Sequence, residues 1–198
     1  MAVARVVSVT VNLIVVSHGG VAVIAERGTR LSKVDLGAVP TTFEHLCVRV
    51  TSGSSPCVVL LLYQPASASV TNAFFTDLSD VLDRLVTFAD PVIIAGDVNI
   101  RLNRVDESPA RRFHELVADY GMSCHVTSLT HDCGGLLDVV VTRDDRPAPY
   151  VDVVDTGMSD HRLLTWVTQL SKPPPIYKTI TRRPLRNLDV AKFQDALQ

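Results

Sequence analysis

The sequence has no window of about 18 uninterrupted apolar residues, so it contains no transmembrane helix. Its nearest approach to a targeting signal is VARVVSVTVNLIVV. Ser8, Thr10 and Asn12 break that run at alternate positions and no small-residue cleavage site follows, so it reads as a strand rather than a signal peptide. Useful cysteine spacing is also missing. Cys47, Cys57, Cys124 and Cys133 make no CxxC pair and no dense framework, which predicts buried or free thiols in a reducing compartment rather than bridges or a zinc site. There is no internal repeat. A net charge of −2 gives no global nucleic-acid signal.

What is present suits one soluble globular domain. The chain has 198 residues, 46% of them hydrophobic and 20% charged, enough for a sizeable core but not for two comfortable ones. Charge is uneven: six Lys/Arg and two Asp follow from Ser171 onward, a net of +4 that leaves −6 on residues 1–170. The basic tail suits phosphate backbone or a solvated linker. PPP at Pro173–Pro175 closes the compact part, because three prolines continue neither helix nor central strand. Beyond it, RNLDVAKFQDALQ reads as a short amphipathic helix.

Short β-branched runs bounded by Gly, Pro, Ser or Asp predict strands at Val3–Val16, Val21–Ala25, Leu46–Val50, Val58–Tyr63, Val92–Ala95, Leu136–Thr142, Val151–Val154 and Leu163–Val167. Two stretches have helical spacing. Phe74, Leu78, Val81, Leu82, Leu85 and Phe88 share one face, with Thr71 or Asn72 as cap. Phe113, Leu116, Val117 and Tyr120 share another, between Ser108-Pro109 and the stop signal Gly121. Strands alternating with a few helices, in no strict βαβ rhythm, predict an α/β sandwich with mixed sheets.

Three fragments offer chemistry. In PVIIAGDVNI, a strand persisting through Asn99 would aim Asp97 and Asn99 at one side, a carboxylate and a carboxamide able to orient a water or hold a phosphoryl oxygen. The alternative is an Asx-type turn after a buried strand. In GMSDHRLLTW, Asp160 and His161 precede an apolar strand. The acid suits a hard cation and the imidazole a proton shuttle, although such a pair can also be a plain surface loop. In THDCGGLLDVVVT, Asp138 sits among Leu and Val and needs a partner, either a histidine ring N–H or local backbone and basic groups. His131, Asp132 and Cys133 match no standard metal spacing.

In order, LLLYQPAS, a helix, VIIAGDVNI, a helix, THDCGGLLDVVVT and MSDHRLLTW resemble the endonuclease/exonuclease/phosphatase family, in particular its branch in the polyproteins of non-LTR (LINE-type) retrotransposons. The resemblance covers roughly residues 19–170. GGVAVIAERG and TTFEHLCVRV resemble further strands of the family, and RRPLRNLDVAKFQDAL resembles a linker leading toward a reverse transcriptase. It implies a four-layer α/β sandwich, two packed mixed β-sheets flanked by helices, over residues 1–170. Residues 171–198 form the basic, Pro-rich linker and short helix.

The resemblance also implies hydrolysis of phosphodiester or phosphomonoester bonds with Mg2+ (or Mn2+), DNA as partner, no membrane, a monomer within a longer polyprotein, and an intracellular location, nuclear or cytoplasmic, not secreted. Asp97 would activate water or protonate the leaving oxygen, and Asn99 would orient the nucleophile or phosphate. His161 would stabilise the phosphate, Asp138 would hold His161, Asp160 would hold metal, and Tyr63 would reach the phosphate. Thr130 would offer a hydroxyl near the site, but an alternative alignment favours His125, and neither is assigned to it.

The N-terminus departs from the pattern. Family members place a strand with an asparagine, and then one with a metal-binding glutamate, before the glycine-led strand. Only 18 residues precede Gly19 here, Asn12 is too near it, and Glu26 and Glu44 follow it. Glu44 reads as structural. The expectation is a domain without its first strands, with an open sheet edge and weak or absent activity. The alternatives are a phosphatase of the same family, or a non-catalytic remnant or binding module.

Overall fold

The computed structural model describes residues 4–6, 11–15, 21–25, 27, 29–52 and 55–167. Gly19, Glu26 and the basic segment 171–198 lie outside them. Along the chain come β1 (Ala4–Val6), β2 (Val11–Val15), β3 (Val21–Ala25), β4 (Arg30–Lys33), β5 (Glu44–Ser52), β6 (Ser55–Tyr63), α1 (Asn72–Leu85), β7 (Val92–Asp97), α2 (Ser108–Asp119), β8 (Met122–Cys124), β9 (Asp138–Arg143), β10 (Val151–Val154) and β11 (Leu163–Trp166).

The strands form two sheets, one ordered β4-β5-β6-β7-β9-β8 and the other β10-β11-β1-β2-β3. Both are mixed: β6–β7 and β1–β11 pair parallel, and the remaining neighbours pair antiparallel. The sheets pack on each other where β3 meets β5 and β6. Every residue of β7 is buried, which is why the run VIIA shows no alternation: a central strand covered on both faces needs apolar groups on both.

The crossover from β6 to its parallel neighbour β7 is α1, whose buried stripe is Phe74, Phe75, Leu78, Val81, Leu82 and Leu85. Two polar ties hold it in place. The Asp77 carboxylate accepts from the amides and hydroxyls of Thr41 and Thr42, pinning the loop before β5. The Tyr120 hydroxyl, just past α2, donates to Asp83 and contacts Ser79, locking the two helices together. Among the described residues, this helical layer and the two sheets make three of the four expected layers.

One glycine is needed to bring β6 and β7 together beside the site. Gly96 has φ +142°, and a side chain there would collide with the Leu62 carbonyl of β6. Only its absence lets the ladder run on to pair Tyr63 with Asp97.

The sequence-based expectations differ from the structure in four places. The run Val3–Val16 is two antiparallel strands rather than one, paired at Arg5 and Asn12, because a 14-residue strand is far beyond the common length. These strands lie between β11 and β3, which leaves β10 and β3 as the edges of that sheet. Thr71 stands at the N-cap of α1 without a side-chain hydrogen bond, and Phe88 falls past the helix end. Finally, β4 and β8 have no apolar alternation to announce them, being short edges; β4, RLSK, is exposed throughout.

Candidate active site

The register of the six-stranded sheet aligns polar residues at one end of four strands. Glu44 pairs with Tyr63, Tyr63 with Asp97, and Asp97 with Asp138. Directly paired residues project to the same face, so the row faces one side. Glu44 is exposed, Tyr63 is half-buried, and the two aspartates are buried, at 6% and 0% side-chain exposure.

The strand β7 ends at Asp97 and does not carry on through Asn99. Asn99 instead adopts φ +49°, a conformation asparagine tolerates better than most residues, and its amide N–H donates to Asp97 Oδ1 at 2.8 Å. This is the Asx-type turn, and it brings the two side chains together just as a continued strand would have. The Asn99 Nδ2 group donates to the Gln64 carbonyl at 2.7 Å and to Asp97 Oδ2 at 3.1 Å. Two acceptors fix the orientation of the amide, with its Oδ1 on the opposite side. Val98 and Ile100 point into the core as expected.

Asp138 satisfies its need for a partner through a histidine. Its Oδ2 accepts from His161 Nδ1 at 2.9 Å, while His161 Nε2 lies 3.8 Å from Asp97 Oδ2. Burial, and then repulsion from Asp138, push the Asp97 carboxyl up to about 7. The hydrogen bond to Asp138 raises the pKa of His161 against the opposing effect of burial. Near neutral pH the Asp97 carboxyl is therefore poised to gain or lose a proton, and Asp138 Oδ1 is buried without a hydrogen-bond partner.

Thr130, half of the unresolved choice with His125, belongs to this site. It is fully buried, and its Oγ1 accepts from the amides of Leu137 and Asp138, fixing the start of β9. His125 instead contacts Thr142 Oγ1, four ladder positions along β9 from Asp138.

Two loops distant in sequence are zipped together by backbone. Asp132 N–H donates to the Asp160 carbonyl, Arg162 N–H donates to that of Thr130, and His131 bridges His161 between them. This brings Asp160, 68% exposed, beside the buried pair. Asp160 Oδ1 accepts from the Ser159 hydroxyl at 3.2 Å, and Oδ2 faces His131 Nε2 at 3.4 Å. Slight desolvation opposes its ionisation, but the Ser159 hydrogen bond and the neighbouring imidazoles prevail and hold its carboxyl below the ordinary range. His131 was not singled out by spacing, and Asp132 and Cys133 contribute no ligand group with it.

Among the described residues, two groups could hold a metal ion: Asp97, Asp138 and His161, and His131, Asp160 and His161. In the first, the imidazole is bonded to one carboxylate and faces the other. Asp160, by contrast, is ionised and open to water. That donor suits a hard cation that keeps most of its waters and needs only one or two carboxylates plus a phosphate. Neither group includes a glutamate.

No protein-family model and no curated protein matches this sequence. Solved structures do match. The endonuclease domain of TRAS1, a telomere-specific non-LTR retrotransposon, superposes with a TM-score of 0.56 at 14% identity, over 78% of this chain and 75% of that one. The chain has the fold of that endonuclease domain. A 3′ phosphatase, NExo from Neisseria bound to product DNA hairpin, scores 0.49 at 14% identity, covering 72% of this chain and 80% of its own. The Haemophilus ducreyi cytolethal distending toxin scores 0.47 at 13% identity, covering 81% and 68%. Those two scores are too low to bear on function. At 14% identity the likeness to the TRAS1 domain shows the fold alone.

Proposed function

We propose that this chain is a metal-dependent phosphodiester hydrolase acting on DNA, resembling a retrotransposon endonuclease and of reduced activity because, among the described residues, no glutamate joins its carboxylates. The observation that supports it is the linked set Asp138–His161–Asp97 at the end of the row containing Tyr63, with Asn99 folded against it. Such a set can place a proton on either side of a phosphate at neutral pH.

Each residue has a role that follows from its contacts. Asp97, with a carboxyl near 7, takes a proton from the attacking water or gives one to the leaving oxygen. Asn99 directs both amide protons at protein acceptors, so its Oδ1 is left to accept from the water and orient it. His161, held at Nδ1 by Asp138, offers Nε2 to the negative charge that builds on the phosphate. Tyr63 stands next to Asp97 in the ladder, where its hydroxyl reaches toward the same phosphate. Asp160 would hold Mg2+ or Mn2+, which supplies charge neutralisation of the phosphate.

The test is nicking of supercoiled plasmid in magnesium by the unmodified chain, Asp160→Ala and His161→Ala. Slow, magnesium-dependent nicking that both substitutions strongly reduce at the same limiting magnesium concentration supports the reading. Nicking that neither changes comes from a contaminant and sinks it, while fast nicking lost in both would overturn only the reduced activity. The lack of a glutamate in either metal-competent group of the described residues favours a second reading, a non-catalytic remnant or binding module. A folded chain that binds no magnesium at about millimolar levels, where weak protein sites still register, supports that reading instead. Release of free phosphate from a monoester without nicking would identify a phosphatase.

A further inference from the structure

We propose that His131 is the positioning residue for the Asp160 carboxylate, locked by a backbone amide in the tautomer that donates from Nε2. The inference rests on the reading of Asp160 as the residue that holds the cation.

The tautomer follows from one contact. The Cys133 amide N–H donates to His131 Nδ1 at 3.0 Å. A donor can point only at a bare nitrogen, so the ring proton of neutral His131 resides on Nε2. That nitrogen faces Asp160 Oδ2 at 3.4 Å, while the other carboxylate oxygen takes the Ser159 hydroxyl. Asp160 therefore accepts a hydrogen bond from the Ser159 hydroxyl at one oxygen and has the Nε2 end of His131 beside the other, at 3.4 Å and short of a hydrogen bond. The ring limits the swing of an otherwise exposed carboxylate. The loop that supplies His131 is itself fixed, through Asp132 N–H on the Asp160 carbonyl and Arg162 N–H on that of Thr130. The ring also stands edge-on to His161, with centroids 4.7 Å apart at 88°. One imidazole thus sets the geometry between the exposed acid and the buried pair.

The same contact argues against His131 as a metal ligand, although His131, Asp160 and His161 lie close enough to form a site with two nitrogens and one oxygen. Ligation through Nε2 would require the proton to sit on Nδ1, head-on against the Cys133 N–H. The loop would have to open first. His131 serves the carboxylate and not an ion.

Two substitutions separate the two ends of the ring. In His131→Asn, the side-chain Oδ1 replaces Nδ1 and still accepts from Cys133, but nothing reaches Asp160. In His131→Gln, the amide nitrogen extends to where Nε2 stood. Calorimetric titration with Mn2+ is run on the unmodified chain, both His131 variants and Asp160→Asn, alongside thermal melts and 15N NMR of the histidine ring nitrogens. The expected result is Mn2+ affinity about 10–100-fold weaker in His131→Asn, as for other partners of a metal ligand, at an unchanged melting temperature, with most of the loss recovered in His131→Gln. The NMR should show His131 protonated at Nε2.

Several outcomes overturn the inference. If Asp160→Asn abolishes binding while both His131 variants bind as the unmodified chain does, the positioning role is gone and the reading of Asp160 stands. If Asp160→Asn binds normally, that reading itself is wrong. Equal weakening in both His131 variants with a lowered melting temperature shows a loop-holding role only. A proton on Nδ1, or tight Zn2+ binding lost in both variants, makes His131 a ligand instead.

Discussion

Two histidine–aspartate pairs stand ring to ring in this protein, and they differ chiefly in how much water reaches them. The His161–Asp138 pair, with Asp97 beside it, lies at the buried end of the six-stranded sheet; Asp138 is 0% and His161 14% exposed. The His131–Asp160 pair is made of the same residue types, yet its carboxylate is 68% exposed. Burial raises the cost of charge, so in the inner cluster the Asp97 carboxyl is pushed up to about 7. At the rim the carboxyl is held down and stays ionised. On the proposed function, the same chemistry would be divided into a proton-handling pair and a cation-holding pair, with the solvent boundary running between the two rings.

The largest effect should come from removing the inner imidazole. His161→Ala should lower the nicking rate roughly 10²–10⁴-fold at saturating magnesium, the usual value of a positioned acid or base. A loss under about threefold would mean that the inner pair is structural and that the two pairs do not divide the chemistry.

The next effect concerns stability against pH. Asp97 has a folded pKa of about 7, above its unfolded value, so its contribution is whole below about pH 4 and is lost as pH rises to 7. The raised His161 acts with the same sign, its contribution fading as pH climbs through its folded pKa. Asp97→Asn removes the titration. Measured by urea unfolding, the stability of this variant relative to the unmodified chain should rise by on the order of 2 kcal/mol between pH 4 and 7 and stay level above. A pH-independent difference would show that Asp97 is not charge-stressed.

These two pairs were unequally visible in the sequence, for a physical reason. Asp138 stood out because a carboxylate inside an apolar strand must find a partner, and Asp97 and Asn99 because they end a wholly buried run. Local chemistry singled those residues out but left each with a plain structural alternative, and only the ordered succession of motifs gave them roles. It did not show how Asn99 arrives, since an asparagine in a left-handed turn and one on a continued strand leave the same letters. Thr130 and His131 were harder still. Their positions depend on a two-bond ladder to residues 160–162, about thirty positions away, and no local periodicity encodes that pairing. The one available signal was Gly134-Gly135, which lets the loop turn back so that Thr130 and His131 both donate to the Gly135 carbonyl. Likewise the exposed RLSK strand was invisible because an edge needs no apolar pattern.

A third prediction sharpens the division of labour. Asp160→Ala should raise the magnesium concentration for half-maximal nicking about tenfold or more, with activity partly regained at high magnesium. His161→Ala should show no such recovery, because its defect is in proton and charge handling rather than occupancy. Recovery of both variants, or of neither, would merge the two pairs into one functional unit.

The smallest effect is also the one that most directly opposes the two pairs. The folded pKa of Asp160 is depressed, so its contribution is present above its unfolded pKa and is lost as pH falls through the folded value, the reverse of Asp97. Because this carboxylate is exposed, solvent screens the benefit. Asp160→Asn should therefore cost no more than about 0.5 kcal/mol at pH 7, shrinking to nothing in acid and in high salt. If its pH profile ran in the same direction as that of Asp97→Asn, both acids would lie in one dielectric environment, and the boundary drawn between the two imidazoles would not exist.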